Sequence, residues 1–327
     1  MTDEKPISKA IIGNRPYTVS KEACPDGATT YSFSNDNGDS QMKVYNLSPG
    51  IKLTHHSVHT DRSYLGTAKK GSVIEIHHCR EGRMECSYKD EYLYLMPGDL
   101  AVEIVERNTK EFVFPLRHYH GITITINTDI APKCFSCFLK DVNVQPLKLA
   151  HRLCENRPCF VIRSKDYIEH LFSEMYAVPC ANKKGYYKIK VLELLLVLSG
   201  IDPNENRLNI CTVSEAQVDL AKRAATYIAD DRDSHITVGL LSQKFHVSAT
   251  HLQNAFKGVF GVPVFSYMRI HRMNVAALQL VRTDKTVMEI ANACGYDNAS
   301  KFASAFREIM NETPLEYRKS HRTANAE

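Results

Sequence analysis

Ile290–Met310 reads IANACGYDNASKFASAFREIM, and fifty residues earlier Leu240–Gly261 reads LLSQKFHVSATHLQNAFKGVFG. Leu240, Leu241, Ser248, Leu252, Phe256 and Lys257, with Tyr267 just beyond, match Ile290, Ala291, Asn298, Phe302, Phe306 and Arg307, with Tyr317 just beyond, at that spacing. Apolar positions match apolar ones, basic matches basic and tyrosine matches tyrosine. A repeat of this length points to one supersecondary unit used twice.

Each copy reads as two helices joined by a tight turn. In the first, Ile236–Phe245 is a helix, His246-Val247 the turn, and Ser248 the cap of a second helix ending near Phe260-Gly261. Leu240, Leu241, Val247, Leu252 and Phe256 are expected to point inward. In the second, Gly295-Tyr296-Asp297 turns the chain, Gly295 suiting a left-handed position, and Asn298 caps a helix through Met310. Val264–Val281 reads as a long connecting helix. Such helix-turn-helix units place the start of their second helix in the DNA major groove. The outward residues of the first copy are then Ser248, Ala249, Thr250, His251, Gln253, Asn254 and Lys257. Those of the second are Asn298, Ala299, Ser300, Lys301, Ser304 and Arg307, with Arg272 of the connecting helix near the backbone. Gln and Asn pair with adenine edges, Thr meets a thymine methyl, and Lys and Arg neutralise phosphate. Because the first copy shows Thr250, Gln253 and Asn254 while the second shows mainly small residues, an asymmetric site is expected.

Charge agrees with this reading. From Ser234 onward eleven Lys and Arg face seven Asp and Glu, so residues 1–233 carry 30 of each sign and the whole excess of +4 lies on the repeat. A generic helical bundle with solvated polar positions is the bland alternative, and two copies in register with all the excess charge weigh against it.

The pattern Ile290-Ala291-x-x-x-Gly295-Tyr296, Phe302-x-x-x-Phe306-Arg307, Thr313-Pro314-x-x-Tyr317-Arg318 resembles the signature of the AraC/XylS family of bacterial transcription regulators. The first copy, with Leu252, Phe256-Lys257, Gly261, Tyr267 and Arg272, is similar to the same family's first unit. The resemblance covers about the last hundred residues. Asn311 departs from it, standing where the family usually has glycine; asparagine tolerates the left-handed conformation. The resemblance implies two helix-turn-helices reading successive major grooves about 34 Å apart, RNA polymerase as a partner, and activation as the usual outcome.

With 327 residues, two domains are expected. The chain begins MTDEKPISKA without an apolar signal, and its longest apolar stretch, Val191–Ile201, is interrupted by Glu193 and too short to span a bilayer. A cytoplasmic protein without a membrane partner is expected. Ten scattered cysteines read as small buried apolar residues, and Cys134-x-x-Cys137 has no second pair at zinc-finger spacing.

The N-terminal half reads as β-structure. Val73–Cys79, Met84–Tyr88, Tyr92–Met96, Leu100–Glu106, Glu111–Leu116 and Gly121–Asn127 are short β-branched and aromatic segments. Glu81-Gly82, Lys89-Asp90 and Pro97-Gly98-Asp99 serve as turns, and the spacing suggests an antiparallel sandwich or barrel. Ser164 is expected to cap a helix through Ala177, and a second helix spans about Gly185–Leu198. Ile189, Leu192, Leu195 and Leu196 make its apolar stripe, which either packs on the barrel or joins two subunits. Gly200–Asn209 reads as a linker.

The fold expected is multidomain α+β: a cupin-like β-barrel at 1–163, a helical dimerisation element at 164–200, a linker at 201–215, and an all-α double helix-turn-helix domain at 216–327 with units at about 236–261 and 286–310. The resemblance implies that the barrel senses a small-molecule effector and that the protein is a homodimer. His55, His77, His118 and His120 are the candidate pocket residues. Cupin enzymes hold metal with a His-x-His pair, whereas His77-His78-Cys79 stands here. His118-Tyr119-His120 places two rings on one face of a strand, where they either coordinate a divalent metal or line a polar pocket. The second reading is taken, so neither a metal nor another cofactor is expected. No nucleophile elbow, P-loop or dinucleotide fingerprint is present. A DNA-binding regulator is therefore favoured over a cupin-type metalloenzyme with a regulatory tail, and no catalytic residue is assigned.

Overall fold

The computed structural model describes residues 7–12, 15–35, 38–64, 72–88, 91–105, 111–132, 144–155, 159–178, 181–206, 212–230, 236–310 and 312–323. The expected turn Lys89-Asp90, the Cys134-x-x-Cys137 pair, Cys180, Cys211, residues 207–211 of the linker and Asn311 lie outside the described residues. The chain divides into two compact units, Met1–Thr212 and Val213–Glu327. Among the described residues no helix is long and apolar enough to cross a membrane.

The first unit begins with strands β1 (Ile7–Ile12), β2 (Arg15–Ala23), β3 (Thr29–Asn35), β4 (Gly38–Ser48), β5 (Ile51–His59) and β6 (Arg62–Tyr64). It continues through β7 (Val73–Gly82), β8 (Met84–Tyr88), β9 (Glu91–Leu95), β10 (Leu100–Val105), β11 (Glu111–Val113) and β12 (Tyr119–Asn127). Helix α1 (Pro146–Cys154), strand β13 (Cys159–Ile162), and helices α2 (Asp166–Tyr176), α3 (Lys183–Ser199) and α4 (Pro203–Asn206) complete it. One antiparallel sheet has the order β1-β2-β3-β4-β5-β12-β7-β10-β13; in a second, β9-β8-β11-β6 follow one another. Neither order closes on itself, so the described strands form open sheets rather than the ring expected of a barrel. Strands β2 to β5 were missed in the sequence because THHSVH and TYSFSN alternate polar residues with few apolar ones, which weakens the two-residue period.

Alternation along the central strands sorts side chains to two faces. Leu53, Ile74, Ile76, Val102, Ile122 and Ile124 turn toward α1, α2 and α3, joining Leu149, Leu153, Ile168, Phe172, Val191 and Leu194 in one core. Val58, Cys79, Ala101 and Tyr119 turn the other way and pack with Met84, Cys86, Leu95, Phe112 and Phe114. The stripe, read as either packing on the barrel or joining two subunits, does not share one exposed face. Leu195 is 1% exposed within the core and Leu196 packs against it, while Leu192 is half-buried and only Ile189 is exposed. Burial of Leu195 in the core shared with the sheet leaves it no surface for a partner. Ser164 likewise does not cap α2, because its hydroxyl donates to Glu169 Oε1 at 2.9 Å instead of accepting a backbone N–H. The Pro97-Gly98-Asp99 turn is pinned by Asp99, whose carboxylate accepts from Met96 N–H at 2.8 Å and from Arg163.

The second unit is helical: α5 (Glu215–Asp230), α6 (Val238–Lys244), α7 (Ala249–Phe260), α8 (Val264–Arg282), α9 (Val287–Ala293), α10 (Ala299–Met310) and α11 (Pro314–Thr323). Helix α5 packs on α7, and α11 on α8. Met273, Ala276, Leu280, Ile290, Phe302 and Phe306 share one buried cluster around the second copy.

Candidate nucleic-acid interface and cavity

In the first copy Thr237 caps α6, its hydroxyl accepting from Leu240 N–H at 3.2 Å. His246 turns the chain at φ 53°, a left-handed conformation that costs a residue with a Cβ about 1–2 kcal/mol. Ser248 then caps α7, accepting from His251 N–H at 3.1 Å, and Gly261 ends it at φ 77°. The second copy repeats these devices with other residues. Thr286 and Glu289 form a reciprocal capping box on α9, Gly295 turns at φ 79°, and Asn298 Oδ1 accepts from Ser300 N–H at 2.8 Å and Lys301 N–H at 3.2 Å. Thr286→Ala removes the hydroxyl half of the box, which accepts from Glu289 N–H at 3.2 Å and donates to Glu289 Oε2 at 2.8 Å, and leaves the backbone N–H bond to Glu289 in place. It should lower stability by about 0.5–2 kcal/mol in urea unfolding; an unchanged midpoint would show that the hydroxyl half contributes nothing.

The caps correct the register of the repeat. Thr286 follows Thr237 by 286 − 237 = 49 residues, whereas Asn298 follows Ser248 by 298 − 248 = 50. The second copy therefore holds one more residue in its turn, and Ile290 corresponds to Leu241. Both are 0% exposed, while Leu240, expected to point inward, is 43% exposed. The paired cap threonines carry this signal in the sequence.

On α7, Ala249, Thr250, His251, Asn254 and Lys257 are exposed, as is the cap Ser248. Gln253 differs from expectation. It is half-buried, and its side-chain oxygen accepts from Val264 N–H at 3.2 Å. Pro263, at the cap position of α8, offers no side-chain acceptor, so Gln253 satisfies a helix-start donor in its place. On α10, Ser300, Lys301, Ser304 and Arg307 are exposed with Asn298, and Ala299 is half-buried. Arg272 is half-buried on α8. Arg269, the neighbouring cation of α8, is held by both carboxylate oxygens of Glu308. A groove of about 550 Å³ runs between α8 and α10, bordered by Phe265, Met268, Arg272, Tyr296, Lys301 and Ser304.

In the first unit the four candidate pocket histidines occupy three places. His55 and His120 border a cavity of about 300 Å³ with Lys43, Tyr45, His56, Arg80, Tyr176, Lys183 and Tyr187. His55 Nε2 meets the Tyr187 hydroxyl at 3.0 Å. His77 lies apart in a buried network, its Nδ1 2.9 Å from the Thr123 hydroxyl and its Nε2 3.0 Å from Glu103. His118 stands with His59 and His120 at the strand ends. Their spacing in sequence joins only His118 and His120; the rest of the division depends on which strand faces which.

Three lysine and arginine charges gather at the cavity, and Asp26 answers two of them. It accepts from Lys43 at 2.7 Å, from Lys183 at 3.3 Å and from the Tyr45 hydroxyl at 2.8 Å. Burial alone would raise the Asp26 pKa, but these hydrogen bonds hold it well below the usual carboxylate range. Burial, helped by Lys43, Lys183 and Arg80, lowers His55 to about 4. Burial lowers His78, stacked on Phe172, to about 3. Burial, then the neighbouring His118 and His59, lowers His120 to about 4. All three folded values lie below the unfolded value near 6.5. The unfolded chain therefore binds more protons between about pH 6.5 and 4, and stability present above that window is lost as pH falls through it. The urea midpoint of this unit should drop between about pH 7 and about pH 5, above the range where carboxylates titrate; a flat midpoint would mean these rings are protonated as freely folded as unfolded.

Residues 241–320 match a family described as a helix-turn-helix domain. The TetD protein of transposon Tn10 from Escherichia coli is 31% identical over 99 residues, covering 30% of this chain and 72% of that protein. The HTH-type transcriptional regulator YdiP of Escherichia coli K12 is 24% identical over 266 residues, covering 77% of this chain and 83% of its own length. The melibiose operon regulatory protein of the same strain is 25% identical over 126 residues, covering 37% of this chain and 42% of that protein. The capped double unit and these similarities agree: the chain belongs to the AraC/XylS family of bacterial transcription regulators.

Proposed function

We propose that this protein is a sequence-specific DNA-binding regulator that responds to a small organic anion. The observation that carries the DNA reading is the pair of fully capped helix-turn-helix units, each with a second helix whose polar side chains are exposed. Thr250, Asn254 and Lys257 lie at i, i+4 and i+7 on α7 and form a stripe suited to a groove. Lys301 and Arg307 supply the phosphate contacts of α10, beside Ser300 and Ser304. Backbone grip from both copies and base choice mainly from the first make the site asymmetric.

The effector reading rests on the cavity beside His55. Lys43, Arg80 and Lys183 together exceed the charges of Asp26 and of Glu81, which pairs with Arg80, and three tyrosines supply rings and hydroxyl groups, a lining that suits a small carboxylate-bearing molecule. A cupin-type metalloenzyme is not favoured, because His77 is committed to Thr123 and Glu103 in a closed network. Selection of random duplexes by the purified chain tests the main reading: one asymmetric motif should be enriched, with affinity falling steeply as salt rises. Recovery of no motif would overturn it. Small organic anions should raise the unfolding temperature where neutral analogues do not.

A further inference from the structure

We propose that His59, His118 and His120 bind a divalent transition-metal ion of the zinc type. His118 and His120 flank Tyr119 at the start of β12, so the two-residue period of a strand turns both rings to one side. Tyr119 pairs with Val58 of β5, which sets His59, one residue further on, beside His118. One nitrogen from each imidazole lies within 4.8 Å of the other two, and the ring centroids are 4.8 to 5.6 Å apart. Tetrahedral zinc, with bonds near 2.0–2.1 Å, needs nitrogens about 3.3 Å apart. Modest side-chain rotations close that difference, and the His59 and His118 side chains are 46% and 42% exposed, so the rings have room and an ion has access.

The surroundings fit. A carboxylate stands beside one ring nitrogen of two of the three: Asp39 is 3.5 Å from His59 Nδ1 and Glu81 is 3.6 Å from His118 Nε2. Carboxylates in that position orient metal-bound imidazoles through the nitrogen that the metal does not use. Arg80, paired with Glu81 at 3.4 Å, and Arg117, one residue before His118, are set against the two carboxylates of Asp39 and Glu81. Three imidazoles select zinc, cobalt, nickel or copper over magnesium or calcium, and leave a coordination position for water or a further ligand. The other histidine-carboxylate cluster, Glu75, His77 and Glu103, does not qualify. Both His77 nitrogens already have partners, and an ion would have to break a closed buried network to reach them. The proposed site stands whether or not the neighbouring cavity takes an effector.

The test uses the full-length chain without an affinity tag, stripped with chelator and titrated with cobalt(II) while its visible spectrum is followed. About one equivalent should bind, with the intense bands of a low-coordinate nitrogen site, and zinc should displace it. His59→Ala and His120→Ala should each weaken binding at least tenfold, on the order of what loss of a supporting group alone costs, with unchanged far-ultraviolet dichroism. His151→Ala, on α1 and away from the cluster, should bind as the parent does. Weak octahedral spectra, or equal affinity in the parent and both strand variants, would overturn the proposal.

Discussion

Phe306→Ala should lower the stability of the 213–327 unit by about 3–5 kcal/mol and abolish specific DNA binding. Phe306 is 0% exposed and sits between Phe302, 5.8 Å away by ring centroid, and Tyr317, 5.5 Å away on α11. It shares one buried cluster with Met273, Ala276 and Leu280 of α8 and Ile290 of α9, so the cluster joins four helices. Helices that carry Phe302 and Ile290 cannot collapse into the space without giving up their caps, and the cavity term should approach its upper range. Urea unfolding followed by far-ultraviolet dichroism should show an early helical transition, while loss of strand signal keeps its midpoint. A decrease under about 1 kcal/mol would mean that the second copy is not built around this side chain.

Asn254→Ala should cost about 1–3 kcal/mol at particular base pairs, and Gln253→Ala should leave base preference unchanged. The two amides are adjacent in sequence and equivalent as adenine readers, so the sequence treats them alike. The fold does not. Asn254 is exposed on the stripe with Thr250 and Lys257, whereas the Gln253 oxygen is engaged with Val264 N–H. Gln253→Ala should instead destabilise the start of α8 by about 0.5–2 kcal/mol, the size of a lost helix cap. Site selection with each variant, together with urea midpoints, separates the effects. A changed motif for Gln253→Ala with an unchanged one for Asn254→Ala would reverse the assignment.

The second unit was legible in its helices and turns because their determinants are local. Thr237, Ser248, Thr286 and Asn298 cap helices through groups three residues away or nearer, and Gly261 and Gly295 take the left-handed turns. The one-residue slip between copies was not read from the sequence and emerged from the Thr237 and Thr286 caps of the structure. Counting matched letters at a constant fifty brought the exposed Leu240 against the buried Ile290, because apolar character alone does not say which face of a helix is buried.

The first unit was legible only in class. Its β-rich nature followed from residue types, but pairing order, the open ends of the sheets and the burial of Leu195 did not. The histidines show the limit most plainly: four residues expected around one pocket are divided among a cavity, a closed buried network and a strand-end cluster.

What the sequence by itself determined is therefore the helix-turn-helix pair, its caps and turns, and the family to which it belongs. These depend on hydrogen bonds and periods that close within a few residues. What only the tertiary structure decided is which polar side chains are already engaged and which are gathered together. His55 meets Tyr187 across 132 residues, His77 meets Thr123 across 46, and Gln253 meets Val264 across a helix junction. Such contacts are set by strand pairing and helix packing, which no local pattern of residues encodes.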